Sequence, residues 1–144
     1  MQREEAGRHC RLMIKGHCLC GAVEWTAIAT PRAVHHCHCS MCRRWTGAAF
    51  ATLVWFNLQN DVVWAGTPTV WRSSPIARRS HCSRCGTPLA LTYDGRSDIA
   101  LAAGSLEDPS TLEPSSHYGT ESRLPWTDGL GQGLPQNETR EHLS

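Results

Sequence analysis

The chain lacks several features that would place it quickly. No apolar run approaches the roughly 20 residues that a membrane-crossing helix needs. Net charge is nearly absent, +1 with histidines neutral, so there is no strong pull toward nucleic acid or an anionic membrane surface. The aromatic residues, six of them tryptophan, are scattered and not interleaved with a basic stripe, which argues against a nucleic-acid surface. The opening Met1-Gln2-Arg3-Glu4-Glu5 is polar and acidic and leads into no apolar core, so a secretory signal is not expected. No internal repeat of useful length is visible. These absences leave a 144-residue chain, 40% hydrophobic, sized for one domain and small enough to benefit from metals or disulfides as staples.

Against these absences stand eight cysteines. Without an export signal they imply a reducing, cytoplasmic setting, where clustered thiols bind metal or do chemistry more often than they form disulfides. Residues 1–12 are charged and patternless and are expected to be a flexible extension, with Cys10 a spare thiol. Residues 13–135 are expected to form the zinc-binding domain, and residues 136–144 a flexible tail ending the Gly-rich stretch that begins at Gly129. Within the domain the pattern is β. Strand candidates are Gly21 to Ile28, Ala48 to Phe56, Thr69 to Arg72, Pro88 to Tyr93 and Asp98 to Ala102. Turn signals at Asn60-Asp61, Gly66-Thr67-Pro68, Ser74-Pro75 and Asp94-Gly95 separate them. Short helices are expected from Ser40 and from Asp108-Pro109, where a cap residue precedes proline at the first helical position. Many short strands at this spacing predict a mainly antiparallel all-β domain.

The cysteines fall into two pairs and a triplet. Cys18-Leu19-Cys20 places two thiols on one face if the segment is a strand. Cys82-Ser83-Arg84-Cys85-Gly86 is a tight turn whose sulfurs converge, with glycine freeing the backbone. These four make a closed tetrahedral thiolate site, a common structural zinc geometry. Cys37-His38-Cys39-Ser40-Met41-Cys42 is different. On a strand Cys37 and Cys39 share a face, and Cys42 opens the short helix, so three thiolates converge and leave a fourth position. That position is open, as in catalytic zinc, or closed by His35, His36 or His38; of these, His35 shares the cysteine face. The helix N-terminus, Arg43 and Arg44 favour thiolate over thiol. Neither common ferredoxin spacing is present, which argues against an iron–sulfur cluster.

Three segments carry a resemblance to a known family: Gly16-His17-Cys18-Leu19-Cys20-Gly21-Ala22-Val23, His36-Cys37-His38-Cys39-Ser40-Met41-Cys42-Arg43-Arg44, and His81-Cys82-Ser83-Arg84-Cys85-Gly86-Thr87-Pro88-Leu89. Together with Gly104 to Pro109 and Leu124-Pro125-Trp126, they resemble the glutathione-dependent formaldehyde-activating enzyme (Gfa)/centromere protein V family from about Ile14 to Pro135. The resemblance implies an Mss4-like fold, antiparallel β-sheets assembled around zinc. It implies two zinc ions per chain, a structural one on Cys18, Cys20, Cys82 and Cys85 and a catalytic one on Cys37, Cys39 and Cys42. It also implies a carbon–sulfur lyase that condenses glutathione, or a related small-molecule thiol, with formaldehyde or another small aldehyde. A non-catalytic zinc scaffold or thiol-binding module carries the same cysteines and stays open as the alternative. Three thiolates leave such a site anionic and the metal a weak Lewis acid, which favours binding of a thiolate over strong carbonyl activation. Glutathione carries two carboxylates, and Arg43, Arg44, Arg72, Arg78 and Arg79 are the candidate cations. Arg43 and Arg44 follow Cys42 directly and are the expected substrate-binding pair. Trp45, Trp55 and Trp71 read as core or sheet-face aromatics.

Overall fold

The computed structural model describes residues 13–141. The expected extension with Cys10, and the last three residues of the expected tail, lie outside the described residues. Among the described residues the chain forms ten strands and one α-helix. The strands are β1 (Met13–His17), β2 (Glu24–Ile28), β3 (Ala33–Cys37), β4 (Ala51–Phe56), β5 (Val62–Ala65), β6 (Thr69–Arg72), β7 (Ala77–His81), β8 (Pro88–Tyr93), β9 (Ile99–Ala102) and β10 (Ser116–Tyr118); the helix α1 is Ser40–Thr46. A three-stranded antiparallel sheet runs β1-β2-β5, and a seven-stranded sheet runs β10-β3-β4-β9-β8-β7-β6. Every pairing is antiparallel except β10 with β3, which is parallel. That parallel strand brings a C-terminal segment beside β3 and makes the large sheet mixed at one edge.

The two faces of the large sheet do different things, and the period of two along each strand separates them. On β4, Thr52, Val54 and Phe56 alternate with Ala51, Leu53 and Trp55. The first set faces the small sheet. There Val34, Val54, Phe56, Ala90, Ile99 and Leu101 close on Trp25, Ala27 and Val62, with Trp25 meeting Phe56 edge-on at 6.5 Å. The second set faces α1. Here Leu53, Trp55 and Leu91 alternate with Ala51, Ala77 and Ala100, and Cys37, Cys42 and Trp45 cover one end. Burial on both faces explains why β4 reads as an unbroken apolar run. The alanines on the helix side leave depth where larger side chains would fill it.

β1 and the segment after β9 meet at one point. Gly16 bridges Leu106, and the Glu107 N–H donates to the Lys15 carbonyl at 2.9 Å. The Trp25 indole lies across Gly16 and donates to Ser105 Oγ at 3.1 Å, which donates to the Ala102 carbonyl at 2.8 Å. A Cβ on residue 16 would sit 2.3 Å from Trp25 Cε2 and 2.5 Å from the Ser105 carbonyl oxygen. The second expected helix is a single 3-10 turn, Pro109–Thr111, capped by the Asp108 carboxylate accepting from the Ser110 N–H at 3.1 Å. Residues 136–141 are exposed and carry no regular secondary structure.

Gly16→Ala is expected to push the indole out of its seat and cost about 1–3 kcal/mol by overpacking. Urea denaturation of the metal-loaded protein reads this as a lower midpoint at unchanged slope. An unchanged midpoint would show that the Trp25 seat is not rigid.

Candidate metal centres and active-site cavity

Cys18, Cys20, Cys82 and Cys85 converge between the two sheets, their sulfurs all within 4.8 Å of one another. Two loops built alike deliver them. The Cys18 N–H donates to the Val23 carbonyl at 2.9 Å, and the Cys82 N–H to the Thr87 carbonyl at 3.0 Å, each five residues on. Gly21 and Gly86, both with φ +79°, take the left-handed turn that a side chain would strain. The Cys18-Leu19-Cys20 segment is therefore a turn beyond β1 and not the expected strand; the sulfurs converge because the chain folds back, not because residues alternate. Backbone N–H groups of Val23 and Arg84 reach Cys18 Sγ at 3.3 Å and Cys82 Sγ at 3.4 Å, and against burial the Val23 bond helps to lower the Cys18 thiol.

The sulfur spacing tests what this cluster fits. Cys18 Sγ lies 3.6 Å from Cys20 Sγ, which lies 3.7 Å from Cys82 Sγ. Metal–sulfur bonds of about 2.3 Å in a tetrahedron place sulfurs about 3.8 Å apart, whereas a disulfide needs about 2.05 Å. The four thiols thus fit a tetrahedral thiolate metal such as zinc without rearrangement. Their acidities diverge accordingly. A hydrogen bond with the Thr87 hydroxyl leads in lowering the Cys85 thiol to about 5. Cys20 is pushed up to about 11; its backbone contact at Ala22 favours thiolate, but burial and its bonds to Cys18, Cys82 and Cys85 prevail. Sulfurs this close do not all ionise without a cation among them.

The triplet forms where β3 passes into α1. Cys37 ends the strand, Cys39 caps the helix with its sulfur accepting from the Cys42 N–H at 3.3 Å, and Cys42 sits buried in the first turn. The three sulfurs lie within 4.8 Å of one another. Cys39 is thus a helix cap and not the strand-face partner of Cys37 that spacing suggested. The candidate histidines are engaged elsewhere. His35 does face the triplet side, but its Nε2 accepts from the Trp55 indole at 2.7 Å. His36 bonds Thr52 Oγ1 at 2.8 Å on the opposite face, and buried His38 bonds His117 at 2.9 Å. Among the described residues no histidine joins either sulfur group. The triplet supplies three soft ligands, and a metal there would keep a position for something else.

A cavity of ≈ 400 Å³ opens on the triplet. Its cations are Arg32, Arg79 and Arg96. The expected pair lies elsewhere: Arg43 donates to the Ser122 carbonyl at 2.6 Å, Arg44 is exposed, and neither lines the cavity. Successive helical residues point about 100° apart, so turning Cys42 inward turns Arg43 toward the C-terminal segment. Arg72 and Arg78 pair with Asp94 on the surface, at 2.8 and 3.9 Å. Arg79 is 3% exposed. It bonds Ser73 Oγ, lies 5.6 Å over the Trp45 ring, and directs Nη2 at Cys42 Sγ, 3.6 Å away. Among the described residues it pairs with no carboxylate. A buried guanidinium needs a counter-charge, and the Cys42 sulfur supplies it. The Cys42 thiol is lowered to about 5, first by its bond with Cys37 and then by Arg79, against burial. The same bond with Cys42, together with burial, pushes Cys37 up. At the mouth, Asp98 accepts from Arg32 at 2.7 Å and from Arg96 Nε at 3.0 Å, and both guanidiniums lie over Trp55, at 5.4 and 5.5 Å. Of the five candidate arginines only Arg79 lines the cavity, and alternation on β7 is the signal that could have singled it out: it shares a strand face with Ala77, while Arg78 points away.

Fold and site define a two-sheet β protein with two cysteine clusters able to hold metal ions, one closed between the sheets and one at the floor of a cavity. Over residues 13–122 the chain matches the family described as glutathione-dependent formaldehyde-activating enzyme, and it belongs to that family. It is 32% identical over 81 residues to an uncharacterized lyase of Schizosaccharomyces pombe, an alignment taking in 55% of this chain and 57% of the relative. The chain therefore spans little more than half the length of that curated relative. A crystal structure of a Rhodobacter sphaeroides protein shares the fold, with TM-score 0.54 and 24% identity over 72% of this chain and 98% of the other. No helix among the described residues is long and apolar enough to cross a membrane.

Two outcomes are expected. The four-sulfur centre ties residue 18 to residue 85, across both sheets, whereas the triplet spans only residues 37–42. A structural zinc site is worth about 10–16 kcal/mol, as much as a whole domain's stability of about 5–15 kcal/mol. Cys82→Ser should therefore abolish the cooperative thermal transition, and Cys42→Ser should keep it. Equal losses in calorimetry would refute that division. In protein carrying one metal ion per chain with the triplet free, Cys42 should alkylate with iodoacetamide down to about pH 5. Removing a cation raises a thiol's pKa, so Arg79→Met should slow alkylation at pH 6, by about twofold for the first unit of rise and by about tenfold for a rise of two units. An unchanged rate would mean that Arg79 is not the counter-charge.

Proposed function

We propose that the protein is a zinc-dependent carbon–sulfur lyase that joins glutathione, or a related thiol, to formaldehyde or another small aldehyde, and cleaves the same adduct in reverse. One observation carries this reading: three sulfurs, Cys37, Cys39 and Cys42, gather at the floor of an open cavity, while the other four close only on each other. The family description and the lyase name of the yeast relative support it. In the forward reaction the thiol sulfur bonds to the aldehyde carbon, the carbonyl π bond opens, and the thiol proton ends on oxygen; nothing is oxidised or reduced. Zinc held by Cys37, Cys39 and Cys42 supplies a cation that favours the thiolate form of an incoming thiol at neutral pH.

The chain's own residues supply the rest. Arg79 offsets the negative charge of the thiolates and, being buried, stands ready to stabilise negative charge developing on the carbonyl oxygen. Arg32 and Arg96 present two guanidiniums to one carboxylate, Asp98, which leaves a net positive charge to receive a substrate carboxylate. Leu53, Leu91 and Trp55 wall the cavity and exclude water that would compete for the aldehyde. The seven described cysteines, all free, suit a reducing compartment such as the cytoplasm. We take residues 13–135 as the working domain.

Protein purified without chelators should carry two zinc ions per chain by metal analysis. Mixed with formaldehyde and glutathione, it should form the S-hydroxymethyl adduct faster than the uncatalysed mixture, and Arg79→Met should lower kcat by about 10²-fold or more, the scale of losing one donor to a developing oxyanion. Protein with two zinc ions that does not accelerate adduct formation would reduce this reading to a zinc-binding scaffold.

A further inference from the structure

The cavity's surroundings describe the carbon side of the adduct, an inference that rests on the lyase reading above. A hydroxymethyl group offers one carbon and one oxygen. The side chains around the three sulfurs are much more extensive than such a group can touch. Met41 stands between Cys39 and Cys42 in the first turn of α1, and Tyr118 lies opposite Cys37 in the β10–β3 pair. Ile76 leans in from the hairpin between β6 and β7, and buried Leu53 and Leu91 form the wall behind. Met41, Ile76 and Tyr118 are 46%, 61% and 66% exposed, and all three line the one cavity. Three exposed apolar side chains that converge on one opening differ from the singly scattered ones that need no explanation.

Several of the polar groups nearby are already engaged. Arg79 is held by Ser73 and Cys42, His35 Nε2 by Trp55, and Ser74 Oγ accepts from the Ile76 N–H at 3.3 Å. Arg79 keeps only its buried Nε unpartnered, beside the sulfurs; the cations open to a substrate carboxylate are Arg32 and Arg96, beside Trp55 at the mouth. The cavity therefore has an anion-binding end and, around the sulfurs, an apolar end.

We propose that the preferred substrate is the thiol adduct of an aldehyde with an extended apolar or aromatic group, that this group rests on Met41, Ile76, Tyr118, Leu53 and Leu91, and that the carboxylate of the thiol partner meets Arg32 and Arg96. The bond changes are those already given: the S–C bond forms as the thiol proton passes to oxygen, or the reverse.

The probes are S-methylglutathione and S-hexylglutathione, thioethers like the adduct itself, titrated calorimetrically into the zinc-loaded protein. Burying one methylene strengthens binding about fourfold; with half of the added chain in contact, S-hexylglutathione should bind at least tenfold more tightly than S-methylglutathione. In the double variant Met41→Gln, Ile76→Gln, both at exposed positions, that ratio should fall below about threefold. Equal or weaker binding of the hexyl compound overturns this inference and leaves the lyase reading standing. A hexyl preference that persists in the double variant overturns the assignment to this rim. Absence of heat with both compounds at millimolar concentration overturns this inference, and the adduct-formation assay decides the lyase reading separately.

Discussion

Four sulfurs drawn to one point between two sheets are the constraint on which the remaining architecture depends. The three-stranded and seven-stranded sheets share an apolar interface, and Cys18 and Cys82 are themselves part of it. Loop closure from residue 18 to residue 85 would be entropically expensive if hydrophobic contacts alone enforced it. Two turns of the same design, each with a left-handed glycine and a backbone bond spanning five residues, hold the thiols ready for a common cation. The sheets inherit their relative placement from that point. The cavity, built on the far face of the large sheet, inherits it in turn.

That far face shows how a small domain makes room for chemistry without losing its core. The face toward the small sheet carries Val, Leu, Ile and Phe; the face toward α1 carries alanine at 51, 77 and 100. Size alternation along the strands thus converts one side into a recess. Into it the chain places a buried arginine with no carboxylate partner among the described residues, a costly choice in an apolar setting unless the neighbouring sulfurs are anionic. The triplet and Arg79 are therefore one electrostatic unit, each making the charge of the other tolerable.

The two sulfur clusters were legible because their geometry is encoded locally: Cys-x-Cys, Cys-x-x-Cys-Gly and the capped triplet each bring sulfurs together within a few residues. β6 and β8 were legible for a similar reason, their apolar pattern being bounded by clear turn residues at Gly66-Thr67-Pro68 and Asp94-Gly95. The cavity's cations were legible only in part: Arg79 stood among five candidate arginines, and Arg32 and Arg96 were not among them. Arg43 is next to Cys42 in sequence, yet the helix turns it to Ser122, while Arg79, 37 residues away, arrives through strand pairing. β7 itself, Ala77-Arg78-Arg79-Ser80-His81, is too polar to announce a strand and owes its conformation to β6 and β8 on either side. β10, three exposed residues paired in parallel to β3, carries no periodic signal at all. What eluded the sequence is what depends on partners distant along the chain.

β10 also governs timing. The His38 N–H donates to the Tyr118 carbonyl at 2.8 Å, and Gly119, at φ +68°, comes so close that a Cβ there would lie 2.9 Å from the Cys39 nitrogen. This last buttress of the triplet is synthesised long after the cysteines. A ribosome adding about 5–20 residues per second leaves Cys37, Cys39 and Cys42 without it for on the order of ten seconds. During vectorial synthesis the nascent triplet meets the cell's metal pool and its oxidants before its own C-terminal segment exists. The four-sulfur cluster becomes complete only with Cys85, so all three sulfurs of the triplet are made while the other cluster still has only Cys18 and Cys20.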